Sequence, residues 1–146
     1  FGHAAGDQVL WQSARRMSAA LRPDDLLVRQ GGEEFVALVS VHDEAELQLI
    51  AERVRSAISA TQMNIGSQNY SISTSIGTAI AGPQDNQKSL LERADNALYL
   101  AKQQGRNRTA HLPERRKMMQ AWADYLDRRR ADTGKVLEFK KSGSRR

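Results

Sequence analysis

The stretch Arg29–Phe35, "RQGGEEF", sets two adjacent glycines and two adjacent carboxylates between hydrophobic runs that read as β-strand. "LLVRQ" (26–30) precedes Gly31-Gly32 and "EEFVALVSV" (33–41) follows. Glycine reaches the positive φ that tight hairpin turns require, so the segment predicts a β-hairpin with the glycines and Glu33-Glu34 at its tip. Two carboxylates at a turn fit a solvated loop. They also fit a metal–nucleotide site, because glycines without Cβ let a phosphate or base approach the backbone, and carboxylates supply the hard oxygen ligands that Mg²⁺ takes beside nucleotide phosphates.

Working outward, Val9, Leu10, Ala14, Met17 and Leu21 recur at helical spacing between Asp7 and Leu21, and Arg22-Pro23-Asp24-Asp25 ends that helix. Asp43 and Glu46 form a capping pair for a second helix reaching about Ala60, with Leu47, Ile50, Val54, Ala57 and Ile58 on its apolar face. "NYSISTSIGTAIA" (69–81) alternates and is rich in β-branched residues, which predicts a strand. Ser89 and Glu92 suggest the start of a third helix, carried by Leu91, Ala94, Leu98 and Ala101 and closed by Gly105. Lys102 and Arg106, four residues apart, would share a face at its end, either offsetting the helix dipole or reaching an anion. Helices interleaved with hairpins and strands indicate a mixed α/β layer fold.

Composition narrows the function classes. The 146 residues allow one ordinary core and an appendage, with 40% hydrophobic and 27% charged residues, as in packed soluble domains. There is no cysteine, which excludes disulfides, thiolate metal sites and thiol nucleophiles. No apolar run approaches the roughly 20 residues of a membrane span. The net charge of +5 is uneven: residues 1–110 hold 11 Lys and Arg against 12 Asp and Glu, and residues 111–146 hold 11 against 5. Nucleic-acid binding is therefore not expected of the main domain, though the basic tail leaves it open. In that tail, "ERRKMMQAWADYLDRRR" (114–130) puts Met118, Trp122, Tyr125 and Leu126 on one helical face, consistent with a covering helix, a dimer-forming helix or a basic arm. The expected division is a domain over 1–112 and a basic helical extension over 113–146.

Four motifs, in order, resemble the GGDEF family of diguanylate cyclases: "FGHAAGD" (1–7), "RQGGEEF" in the variant with Glu at the third position, "SISTSIGTA" (71–79) and "ADNALYLAKQQGRNR" (94–108). The resemblance implies a palm-like nucleotide-cyclase fold, a mostly antiparallel sheet packed by helices, that condenses two GTP into cyclic di-GMP across a homodimer. By position, it implies that Gly31 and Gly32 lie against the nucleotide and that Glu33 ligates Mg²⁺ (or Mn²⁺) and deprotonates the attacking 3′-hydroxyl. Glu34 would assist at the metal, Asp7 hold the guanine edge, and Lys102 and Arg106 contact the phosphates. Arg22 and Asp25 match an RxxD inhibitory site for the product, joined by Arg53; the alternative is a helix-ending turn with a local ion pair. A cytoplasmic location is implied, either free or as the soluble part of a larger, membrane-attached protein. The family pattern begins earlier than Phe1, with a central strand carrying a metal-binding Asp. The expectation is thus of an N-terminally truncated domain with weak or no turnover, which leaves a non-catalytic cyclic di-GMP or GTP-binding module as the alternative.

Overall fold

The computed structural model describes residues 3–112. The expectations for the basic tail, with Met118, Trp122, Tyr125 and Leu126, lie outside the described residues, as do those for Phe1 and Gly2. In order, the elements are α1 (His3–Ala20), β1 (Leu26–Gly31), β2 (Glu34–Leu38), α2 (Glu44–Ser59), β3 (Met63–Ile65), β4 (Gln68–Tyr70), β5 (Ile76–Thr78), α3 (Gln87–Gln103) and β6 (Thr109–His111). The strands form three two-stranded sheets: β1 with β2 and β3 with β4 antiparallel, β5 with β6 parallel. The mixed α/β architecture matches the sequence expectation.

The core forms where the apolar faces of α1 and α2 meet. Met17, Val54, Ile58, Met63 and Ile65 are its buried centre, with Val9, Leu21, Leu27, Phe35, Tyr70, Ile72 and Ile76 packed around them. Leu47, Ile50, Ala51, Val54 and Ile58, all buried, give α2 the stripe that its spacing predicts. Arg16 of α1 ties the two helices together. Its guanidinium donates to the carbonyls of Ile58 at 3.0 Å, Thr61 at 2.7 Å and Gln62 at 2.9 Å, which satisfies acceptors left over at the end of α2.

Helix starts show which side chains do the capping. Asp43 caps α2 by accepting from the Glu46 N–H at 2.8 Å, but Glu46 reaches back to the His42 N–H at 2.8 Å, one residue before the position a reciprocal box requires. For α3 the expected Ser89–Glu92 pair is corrected. Asn86 is the N-cap and Ser89 is the third helical residue, each side chain bonded to the other's backbone N–H. Asn at the cap satisfies a first-turn donor as well as Ser does, so the helix begins three residues earlier.

The long strand expected over 69–81 is also corrected. Only Gln68–Tyr70 and Ile76–Thr78 join ladders, in different sheets. Alternation makes a segment able to extend, whereas strand structure requires a partner backbone, and residues 71–75 have none among the described residues. The parallel partner of β5 is β6, a three-residue strand too short to leave a periodic signal.

Gly77 positions the third helix. An added Cβ there would sit 2.1 Å from the Ala94 carbonyl oxygen and 2.2 Å from the Leu98 nitrogen, so the backbones of β5 and α3 touch. The small, fully buried Ala97 and Ala101 permit the same close approach along α3. At its start, buried Arg93 donates to the Ile80 carbonyl at 2.5 Å and pairs with Asp85, whose carboxylate also accepts from the Gly82 N–H and the Ser89 hydroxyl. The Asp85 carboxyl lies below the usual range, chiefly because of the Gly82 N–H.

Candidate functional site

The hairpin forms as predicted, with its turn at Gly32-Glu33. Gly31 pairs with Glu34 across the tip, and a register shift between Arg29 and Gly31 leaves Gln30 as the extra residue of a bulge. Of the two glycines, Gly32 takes the left-handed conformation, φ 52°. Arg29 reaches over the turn and donates Nε–H to the Gly32 carbonyl at 2.9 Å. The space above both glycines is open: a Cβ on either would meet nothing within 4 Å. Glu33 and Glu34 project from this tip, both exposed. Glycine here leaves the backbone accessible from solvent, the condition for a phosphate to approach it closely.

On the inner face of the hairpin, a cavity of about 490 Å³ lies against α1, lined by Asp7, Leu10, Trp11, Ala14, Leu27, Arg29 and Phe35. The four α1 residues follow helical spacing, so one helix face supplies a carboxylate, an aromatic wall and an apolar floor. Trp11 is 60% exposed and the Arg15 guanidinium lies 4.8 Å from its ring centroid. The structure therefore brings Asp7 to the hairpin, 24 residues away in sequence from Gly31. Arg29 and Trp11 were missed by sequence reasoning. Trp11 was findable, standing one helical turn after Asp7 on the same face. A larger hollow of about 570 Å³ lies along the start of α3 and includes no residue of α1 or the hairpin.

Lys102 and Arg106 are not among the residues lining either cavity, and the helical-turn argument for pairing them is corrected. α3 ends at Gln103, and Gly105, Arg106 and Asn107 follow with φ of 113°, 60° and 48°. The Arg106 N–H closes the helix on the Ala101 carbonyl at 3.0 Å and the Gly105 N–H on that of Lys102 at 3.5 Å, a Schellman closure. Lys102 therefore leaves from the last helical turn, while Arg106 leaves from a left-handed link beyond it. Two successive non-glycine residues in that conformation store strain, which structures tolerate where neighbours hold them. Arg55 of α2 supplies one such hold, donating to the Asn107 side chain at 2.7 Å while paired to Glu52 at 2.5 Å.

The RxxD turn lies at the other end of α1. Asp25 accepts from the Arg22 backbone N–H at 2.8 Å, and the Asp25 N–H donates to the Arg22 carbonyl at 3.1 Å, so the motif closes a turn. The local ion pair is not what forms: the Arg22 guanidinium crosses to α2, reaching Glu46 at 2.5 Å and the Ser40 carbonyl at 3.3 Å. Arg53 donates to the Ala20 carbonyl at 2.6 Å, two residues before Arg22, so the three named residues share this corner of the fold. The Arg22 contact, joined by donors from His42, lowers the Glu46 carboxyl to about 2.

Among the described residues no group of three or more His, Asp or Glu is arranged to hold a metal ion. Glu33 and Glu34 fit a divalent cation in a narrower sense, as carboxylates that share it with nucleotide phosphates and water.

The element order and the glycine-tipped hairpin beside a carboxylate-bearing helix face define a palm-like α/β domain. The family described as diguanylate cyclase, GGDEF domain, matches residues 1–108, and the chain belongs to that family. The response regulator PleD of Caulobacter vibrioides is 41% identical over 110 residues, which cover 73% of this chain and 24% of PleD, so the chain spans about a quarter of that relative. The GGDEF domain of DgcB from Caulobacter crescentus, solved in complex with c-di-GMP, superimposes with a TM-score of 0.71 at 32% identity, covering 76% of this chain and 67% of that one. The active GGEEF domain of a diguanylate cyclase from Vibrio cholerae does so with 0.67 at 28% identity, covering 76% and 70%. That domain is named for the same GGEEF form that stands at residues 31–35 here.

Proposed function

We propose that this domain condenses two molecules of GTP into cyclic di-GMP, as a homodimer in which each copy holds one GTP. The observation that supports it most directly is the hairpin tip, where an open glycine backbone adjoins two exposed carboxylates beside the Asp7 cavity. Asp7 accepts hydrogen bonds from the guanine edge in that cavity, and Gly31 and Gly32 take the phosphates against the backbone. Glu33, with Glu34 beside it, holds a divalent cation, Mg²⁺ or Mn²⁺. When bound, that cation offsets charge developing on the α-phosphate and lowers the pKa of the attacking 3′-hydroxyl. Glu33 accepts the hydroxyl proton, and Lys102 and Arg106 neutralise phosphate charge. We further propose that Arg22, Asp25 and Arg53 bind cyclic di-GMP as an inhibitory product. Their shared corner supports that assignment, as does the domain's similarity to DgcB, whose structure holds c-di-GMP.

The test is incubation with GTP and Mg²⁺, followed by chromatography for cyclic di-GMP. Magnesium-dependent product that disappears in Glu33→Gln is expected, in a variant that stays folded because residue 33 is exposed. Undiminished product from Glu33→Gln overturns the assignment. The expectation of weak or no turnover by these 146 residues is read in the same assay. Among the described residues no helix is long and apolar enough to cross a membrane.

A further inference from the structure

We infer that Glu46 is a built-in competitor for Arg22, a carboxylate that occupies the guanidinium until a phosphate ligand displaces it. The inference rests on the reading of Arg22, Asp25 and Arg53 as the cyclic di-GMP site and adds what regulates that site.

The Arg22 guanidinium already has partners at the end of α1. Its Nη2 donates to Glu46 Oε1 at 2.5 Å and its Nη1 to the Ser40 carbonyl at 3.3 Å, so both terminal nitrogens are engaged. Glu46 is equally fixed. Its second oxygen accepts from the His42 N–H at 2.8 Å and lies 2.9 Å from His42 Nδ1. The first turn of α2 holds it in place, because Asp43 caps the Glu46 N–H at 2.8 Å. The acceptor is therefore set by the backbone before any ligand arrives.

The chemistry of this contact is that of a phosphate contact. Arginine presents one planar fork of donors, and a carboxylate and a phosphate oxygen pair compete for it. The two side chains are 45% and 24% exposed, and ion pairs this open to water are weak enough for a doubly charged ligand to break. Asp43 and Glu44 stand close to Glu46 in sequence and add negative charge that a ligand anion must also overcome. The result is a threshold: cyclic di-GMP binds when its phosphates outbid Glu46, so product inhibition begins at a higher concentration than Arg22 and Arg53 alone would set.

Calorimetric titration of the 146-residue chain with cyclic di-GMP tests this in four forms: unmodified, Glu46→Gln, Arg22→Ala, and the double variant. Glutamine keeps an acceptor oxygen for the His42 N–H, and circular dichroism checks that α2 is retained. Glu46→Gln is expected to tighten binding by roughly two- to fivefold. The gain shrinks at high salt, where exposed charges are screened, and vanishes when Arg22 is already Ala. Unchanged or weaker binding in Glu46→Gln, with binding lost in Arg22→Ala, overturns the competitor while leaving the product site standing. Undiminished binding in Arg22→Ala overturns the product site itself and the competitor with it.

Discussion

Gly77 and the Gly31-Gly32 pair are glycines for opposite reasons. At Gly77 a Cβ would collide with the backbone of α3 at 2.1 Å, whereas at Gly31 and Gly32 it would meet nothing within 4 Å. The β5–α3–β6 region uses the missing side chain to bring two backbones together, and the hairpin uses it to leave a backbone bare. One region is keyed shut and the other is held open, which separates substitutions that unfold the domain from those that disable it. The largest expected effect follows at the closed end. Gly77→Ala must push β5 from α3 with no flexible side chain to absorb the shift, and overpacking of this kind costs about 3 kcal/mol. Urea unfolding measures it; a loss comparable to that of an ordinary surface substitution would mean that the contact relaxes and the contrast is false.

Two smaller effects sharpen the same half. Asn86→Ala removes the cap of α3 and is expected to cost about 1 kcal/mol, read by the same unfolding curves, with Asn86→Ser recovering most of it. His111, whose side chain is 7% exposed, bonds Thr78 at 2.9 Å and lies 3.5 Å from Glu44. Burial pushes its pKa below the ordinary value of 6.5, and this outweighs the opposing pull of Glu44. The unfolded chain therefore binds more protons near that value, so stability falls as pH drops through about 6.5. Glu46, Glu52 and Asp85, whose pKa values are also lowered, lose their contribution only in the acid range below the ordinary carboxylate values, so the window between pH 7.5 and about 5.5 lies clear of them. A smaller drop than that of Asn86→Ala is expected, and His111→Gln should flatten the slope; an equal slope in that variant assigns the effect elsewhere.

The open half was largely legible in the sequence and the closed half was not. A hairpin tip is written locally: two glycines between alternating runs specify the turn, and the Arg22–Asp25 break is set by a proline and by the Asp25 carboxylate accepting from the Arg22 N–H. The α2 stripe and its Asp43 cap are likewise properties of a few consecutive residues. What could not be read is whatever depends on a partner distant in the chain. β6 exists because Ile76 and Thr109 are neighbours in space, and three residues carry no period. Gly77 interrupts a strand pattern in sequence, yet only the packed helix shows what it is for. Lys102 and Arg106 looked coupled because helical spacing was extended past the point where Gly105 turns the chain. Arg22 was given a local partner in the alternative reading, whereas its guanidinium is taken by a residue 24 positions on.

The smallest expected change in stability is the one that discriminates best between the two uses of glycine. Gly31→Ala adds a methyl group where the structure has open space and where the backbone does not adopt positive φ, so its cost should stay within about 0.5 kcal/mol, as for an unremarkable surface site. GTP binding in the presence of Mg²⁺, followed by calorimetry, should nevertheless weaken by at least tenfold if phosphates rest on that backbone, since the new methyl stands where they would lie. Gly32→Ala is a poorer probe, because at φ 52° a side chain strains the turn whatever binds above it. A folded Gly31→Ala that binds GTP as well as the unmodified chain would show the open space to be incidental, and the hairpin would then be an exposed turn and no more.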